Sequence, residues 1–214
     1  MKPDETANAQ EPILPNGHPA SFVWLASRSP RRQELLRQIG VPFRLLVSDD
    51  PQEDEWLELH EAGESPARYV ARVAHAKAQA GRQRLERSAA PDAPVLASDT
   101  TVAIGGRIYG KPQDEADARR ILGELSGRTH RVLSAVVVAT GRDTRSAVQV
   151  SRVRFARLSA QEIEHYIASG EAFGKAGAYA IQGLAARFIR RIEGSYSGIM
   201  GLPLYETARL LRGV

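Results

Sequence analysis

The chain contains no cysteine, and only 6% of its 214 residues are aromatic. Without cysteine there is no disulfide, no thiolate nucleophile and no Cys-ligated zinc, so any metal must rest on oxygen or imidazole ligands, which favours magnesium or manganese. No apolar run approaches the ~20 residues needed to cross a bilayer, and the N-terminal residues, rich in Pro, Asn, Glu and Asp, lack the apolar centre of a signal peptide. A cytoplasmic protein without a membrane partner is the expectation. No Gly-x-x-x-x-Gly-Lys-[Ser/Thr] run occurs, which excludes the usual P-loop. Lysine is scarce: Lys2, Lys77, Lys111 and Lys175 are the only four among 29 basic residues, so lysine in this chain marks places where a compact ammonium is wanted, as beside a phosphate oxygen or a reacting water. The net charge is +4, but both signs are mixed along the chain, and no nucleic-acid partner is expected.

What is present has the rhythm of an α/β protein. Residues 1–20 carry Pro3, Pro12, Pro15 and Pro19 with no apolar periodicity and read as a flexible tail, leaving 21–214 as a single domain. Phe22 to Leu25 suits a buried strand, and Ser29-Pro30 supplies the cap and first-turn proline of a helix ending at Gly40. Phe43 to Val47 predicts the next strand. The acidic stretch from Asp49 to Glu64 predicts an exposed loop or lid with at most one short helix, and Ser65-Pro66 opens a helix to Leu85 with Tyr69, Val70, Val73 and Ala74 on one face. Val95 to Ala97 and Thr101 to Ile104 flank Ser98-Asp99-Thr100, and Gly105-Gly106 turns the chain back through Ile108 and Tyr109. A helix from Asp114 to Leu125 precedes strands over Arg131 to Ala139 and Ala147 to Phe155. Ser159 with Glu162 forms a capping box for a helix that Gly170 ends; a strand near Arg187 to Ile192 and a helix from Pro203 to Leu211 follow. This order predicts a mixed, partly antiparallel central sheet flanked by helices.

Three constellations carry candidate chemistry. Leu25-Ala-Ser-Arg-Ser-Pro-Arg-Arg32 places hydroxyls, guanidiniums and free helix N–H groups at a strand-to-helix junction, a cradle for an anion such as a triphosphate. Asp99 stands among core-strand residues, where a carboxylate costs several kcal/mol to bury unless a cation or metal faces it; Lys77 and Lys111 are the candidates. Gly174-Lys-Ala-Gly-Ala-Tyr-Ala-Ile-Gln-Gly183 is rich in glycine and poor in charge and suits a pocket wall, with Gln182 able to read a base edge through its amide. His130, at a strand start, reads as a structural histidine.

Taken in order, Ala26-Ser-Arg-Ser-Pro-Arg-Arg32, Lys77-Ala78, Ser98-Asp-Thr100, Gly110-Lys-Pro112, Leu125-Ser-Gly-Arg-Thr-His130, Lys175-Ala-Gly-Ala-Tyr-Ala-Ile-Gln-Gly183 and Gly201-Leu-Pro-Leu204 resemble the Maf family from Phe22 to Leu211. The resemblance implies two lobes around a cleft, a fold related to the inosine-triphosphate pyrophosphatases, a homodimer, and hydrolysis of nucleoside triphosphates to the monophosphate and pyrophosphate with Mg²⁺ or Mn²⁺. The Gln182 block with Gly194-Ser-Tyr196 is similar to the branch acting on dTTP and UTP. A pyrophosphatase for 7-methyl-GTP or another modified nucleotide, and a non-catalytic nucleotide- or nucleic-acid-binding regulator linked to cell division, stay open as alternatives. By matched position, Asp99 is the expected proton acceptor and a metal ligand, with Lys77 and Lys111 beside it in the catalytic set. Ser27, Arg32 and Lys175 are expected on the substrate, and Arg31, Thr100 and Gln182 on the base. The family also places a metal-binding acid after the second strand; Asp49, Asp50, Glu53, Asp54 and Glu55 compete for that role, with Glu53 carried forward. Arg28 stands where the family often has a small residue.

Overall fold

The computed structural model describes residues 22–50, 53 and 56–212, so the tail expected over residues 1–20 lies outside the described residues. Strand β1 (Val23–Leu25) runs into helix α1 (Pro30–Gln38) and strand β2 (Phe43–Leu45). After the acidic segment, α2 (Pro66–Glu86) leads to the long β3 (Val95–Ile104), which turns back into β4 (Arg107–Tyr109). Then come α3 (Glu115–Leu125), β5 (Thr129–Ala139), β6 (Thr144–Phe155), α4 (Ala160–Ala168), β7 (Ile189–Glu193), α5 (Tyr196–Met200) and α6 (Leu204–Leu211). Together they form a seven-stranded sheet of order β2-β1-β3-β5-β6-β7, with β4 added to β3. β1 pairs in parallel with β2 and β3, and the remaining pairings are antiparallel, giving the mixed α/β sheet expected. No helix among the described residues is long and apolar enough to cross a membrane.

Strand parity decides what each face carries, because successive side chains alternate across a sheet. Ala97 and Ala103 of β3, with Leu133, Ala135 and Val137 of β5, face α2 and pack on Tyr69, Val70, Val73 and Ala74. Each fully buried Val contributes roughly 1.5–3 kcal/mol, enough to clamp α2 flat on the sheet. On the opposite face Leu96, Val136 and Val138 pack against Leu35 and Leu36 of α1 and Leu211 of α6. Farther along that face, Val102, Val132 and Val153 meet Ile121, Leu122 and Leu125 of α3 and Ile163, Tyr166 and Ile167 of α4. These last two clusters are the cores of two lobes.

The cleft between the lobes follows from unequal strand lengths. β1 ends opposite Leu96 and β4 ends, at Tyr109, opposite Val102, so Ser98 to Thr101 form a stretch of β3 whose edge faces neither neighbour. That gap lies at the carboxyl end of β1, where α/β sheets commonly receive ligands.

The structure departs from the sequence expectation in several places: β5 begins at Thr129 rather than Arg131, and β6 at Thr144 rather than Ala147. β2 stops at Leu45 rather than Val47. Residues 184–188 are a 3₁₀ helix rather than the start of β7, because Phe188 must turn inward against Tyr166 and Phe155. The short helix α5 was not expected, since glycines interrupt it; Ser195 caps it by accepting from Gly198 N at 2.9 Å.

His130 is structural, as its strand-start position suggested. It is buried between Phe155 and Tyr179 and its Nε2 lies 2.8 Å from the Tyr179 hydroxyl, while Nδ1 has no hydrogen-bond partner among the described residues. Burial lowers its pKa from 6.5 to about 4, so it is neutral in the fold. The unfolded chain therefore binds more protons between those values, and the stability contributed by neutral His130 is present above pH 6.5 and lost as pH falls toward 4. That loss amounts to roughly 3 kcal/mol. The melting-temperature gap between wild type and His130→Gln should accordingly narrow from pH 6.5 to pH 4; a gap independent of pH would contradict this assignment.

Candidate active site

Lys77 continues the sheet-facing stripe of α2, falling one turn after Val73 and Ala74 and two turns after Val70 in the helical repeat. Asp99 shares the parity of Ala97, so it points toward the same helix. The two are forced together: Lys77 Nζ donates to Asp99 Oδ1 at 2.8 Å, with both side chains only 8% exposed. Lys77 Nζ also donates to Glu58 Oε1 at 2.7 Å, and Lys111 Nζ, from the loop after β4, donates to Glu58 Oε2 at 2.7 Å. Two carboxylates and two ammoniums thus alternate in one chain. Burial disfavours the Lys77 ammonium, but Asp99 and Glu58 outweigh it and hold its pKa above the ordinary lysine value. Burial likewise works against the Glu58 carboxylate, and Lys77 and Lys111 outweigh it and hold its pKa low.

Glu58 was not singled out from the sequence. No spacing within the acidic run marks it; its position depends on α2 beneath. Tyr69 donates its hydroxyl to the Glu58 carbonyl at 3.0 Å, and Arg72 donates to the Leu59 carbonyl at 2.8 Å and to both oxygens of Glu64, each at 2.8 Å. Trp56 and Leu57 are helical and lead into this clamp. Glu53, the acid carried forward for the metal, is exposed and ion-paired with Arg84 at 2.6 Å, outside the cleft. Asp49 and Asp50 are also exposed and do not line the cleft, while Asp54 and Glu55 lie outside the described residues.

The β1–α1 junction forms the facing wall. Arg32 donates from Nε to the Gly201 carbonyl at 2.9 Å and from Nη1 to Ser27 Oγ at 3.0 Å; Arg31 Nε donates to the Met200 carbonyl at 3.3 Å. Ser98 Oγ donates to the same Gly201 carbonyl at 2.9 Å. Both guanidiniums are therefore fixed by one turn, which Gly201 enters at φ 123°. Burial lowers the Arg31 pKa, although a guanidinium remains charged. Ser29 makes no side-chain cap; its backbone N–H donates to Ser27 Oγ at 3.2 Å. Arg28 donates to the Ser48 carbonyl, tying the junction to the chain beyond β2.

Residues 174–182 close the far side. Gly177 has φ 73°, and a Cβ there would fall 2.7 Å from Val102 Cγ2, so only glycine lets this segment lie on β3. Gln182 is exposed and lines the cleft. Thr100 Oγ1 is 2.8 Å from Ser134 Oγ, which donates to the Gly198 carbonyl at 2.6 Å, so the Thr100 hydroxyl is oriented by α5. Lys175 borders the cleft but donates to the Glu171 and Phe173 carbonyls at 2.7 and 3.2 Å; burial and Arg31 lower its pKa. Tyr179 also lines the cleft, with its hydroxyl turned back onto His130. The cleft holds about 410 Å³, within the range of small-ligand sites, and brings together Ser27, Arg31, Arg32, Lys77, Asp99, Thr100, Lys111, Lys175 and Gln182.

The model for the family described as "Maf-like protein" matches residues 22–214. A dTTP/UTP pyrophosphatase of Cupriavidus pinatubonensis is 58% identical over 191 residues, covering 89% of this chain and 96% of the relative. The dTTP/UTP pyrophosphatase of Ralstonia nicotianae is 58% identical over 198 residues, covering 92% and 96%. Among solved structures, the Staphylococcus aureus Ham1 protein is 14% identical with a TM-score of 0.40, over 63% of this chain and 72% of that one.

Removing one member of a buried ion pair strands the other. Lys77→Met should destabilise the protein by about 3–5 kcal/mol in urea unfolding, and Lys77→Met with Asp99→Asn should recover part of that loss. A double variant no more stable than Lys77→Met would show that the pair is not coupled.

Proposed function

The chain belongs to the Maf family, and we propose that its cleft hydrolyses nucleoside triphosphates, dTTP and UTP foremost, to the nucleoside monophosphate and pyrophosphate. The observation that carries this reading is a buried carboxylate, Asp99, held ready beside Lys77 and facing a guanidinium-lined helix N-terminus across one cleft. The α1 N-terminus with Arg32 and Ser27 suits the triphosphate, since free N–H groups and the helix dipole favour an anion. Arg31, Thr100 and Gln182, which also line the cleft, are assigned to the base in this reading.

Water attacks the α-phosphorus and its proton passes to Asp99; the new P–O bond forms as the α-phosphorus to bridging-oxygen bond breaks, and pyrophosphate leaves with the electron pair. Lys77 orients Asp99, and Lys111 and Arg32 offset the charge that builds on the phosphate oxygens. No group of three or more acidic or histidine side chains able to hold a metal occurs among the described residues. Asp99 and Glu58 nevertheless converge on one Lys77 Nζ, and two carboxylates with substrate phosphates are a donor set that suits Mg²⁺ or Mn²⁺. These two side chains would hold the cation, which when bound supplies Lewis-acid stabilisation of phosphoryl charge. A homodimer belongs to the same reading and is checked by molar mass in solution.

Asp99→Asn should lower turnover by about 10²–10⁴-fold in protein that is still folded at the assay temperature, Lys77 keeping Glu58 as its partner; retained turnover would remove Asp99 from the mechanism. Pyrophosphate release from a panel of canonical and modified triphosphates should be greatest for dTTP and UTP and should stop when divalent cations are chelated. Preference for 7-methyl-GTP would keep the reaction and change the substrate, and no release from any nucleotide would favour the binding protein. Gln182→Ala should shift base preference more than it slows the best substrate; equal losses on every base would remove Gln182 from base reading.

A further inference from the structure

Behind the wall that carries Gln182 lies a carboxylate that takes no part in the cleft. Glu171 follows Gly170, the residue that ends α4 with φ 75°. Its Oε1 accepts from the Tyr166 hydroxyl at 2.8 Å and from Ala185 N at 3.4 Å, and its Oε2 accepts from Leu184 N at 3.0 Å. Tyr166 is wholly buried, and its oxygen accepts from Ala180 N at 3.2 Å. One carboxylate therefore holds Leu184 and Ala185 directly and Ala180 through a single phenol. Only Ile181, Gln182 and Gly183 lie between these anchors. Gly183 N closes the turn by donating to the Ala180 carbonyl at 3.1 Å, and a Cβ on Gly183 would fall on Glu171 Oε2. The backbone next to Gln182 is thus pressed against the carboxylate from behind, while Gln182 faces the cleft.

We propose that Glu171 is a positioning residue for base selection: by bracketing residues 180–185 it fixes the direction of the Gln182 amide. This rests on the reading of the cleft as a nucleotide site with Gln182 at the base. An amide discriminates pyrimidines only from a fixed direction, since thymine presents O4 and N3–H where cytosine presents N4–H₂ and an unprotonated N3. Burial works against ionisation of Glu171, but the Leu184 N–H, the Tyr166 hydroxyl and the Ala185 N–H outweigh it and hold its pKa low. All of its partners are donors. An ionised carboxylate accepts from every one of them, whereas a glutamine would turn an NH₂ donor toward at least one and release that side of the bracket.

The test is a double-mutant cycle between Glu171→Gln and Gln182→Ala. It reads the dTTP-to-dCTP ratio of kcat/KM and the ratio of affinities for their α,β-imido analogues, which does not depend on turnover. Glu171→Gln should lower both ratios by at least about tenfold, and in the Gln182→Ala background it should change them by less than about twofold. Tyr166→Phe and Gly183→Ala, which disturb the same bracket from its other members, should act in the same direction; they carry the test if Glu171→Gln does not fold. Unchanged ratios in Glu171→Gln, or an equal drop with Gln182 already removed, would overturn the positioning role while leaving the nucleotide reading intact. Wild-type protein that binds neither analogue would overturn both.

Discussion

An ammonium in a nearly dry position is tolerable only while carboxylates face it, and Lys77 meets that requirement with Asp99 on the strand beside it and Glu58 above it. Much of the site depends on this one atom. Asp99 in the sheet interior pairs with it, and Glu58, in the acidic segment, is received by Lys77 and Lys111. The contact also couples elements distant in sequence: α2, β3, the loop after β4 and the segment before α2 meet at it. The charges are equal in number and alternate in sign, so this corner of the cleft is neutral as built. Arg31 and Arg32 stand on the other wall of the cleft.

The two walls are built by different means. The charged wall is rigid because side chains lie in register on packed elements: Lys77 on a helix clamped to the sheet, Asp99 in mid-strand, Arg31 and Arg32 fastened to the carbonyls of Met200 and Gly201. The other wall is mostly loop, and loops hold their shape only where backbone groups find fixed partners. Gly177 lies against Val102, and the Tyr166–Glu171 pair bonds the backbone at Ala180, Leu184 and Ala185. A loop so anchored can present one side chain, Gln182, in a defined direction although that side chain is itself exposed.

Much of this was legible in the chain. Periodicity and capping residues located the helices: Ser65 caps α2, Asp114 caps α3, and the Ser159–Glu162 box opens α4. The scarcity of lysine pointed to Lys77, Lys111 and Lys175, and all three border the cleft. Composition alone did not separate Glu58 from the other acids of its segment, because the selection is made by Tyr69 and Arg72 from another element. Glu53, closer to β2 in sequence, turns outward to Arg84. Lys175 kept its place beside the cleft, but its ammonium is taken up by two carbonyls.

Side-chain direction along one element is a local property, since alternation in a strand and the 3.6-residue repeat of a helix follow from backbone geometry alone. For that reason the sequence by itself determined that Asp99 lies in a core strand, that Lys77 belongs to the buried face of α2, and that Ser27 to Arg32 stand at a helix start. Only the tertiary structure decided which groups from different elements meet. The gap between the ends of β1 and β4 opens the cleft, the clamp on α2 selects Glu58, and Tyr166 and Glu171 orient the segment of Gln182. Each of these depends on where strands end and how elements pack, and those are outcomes of the whole chain's burial rather than of any local pattern.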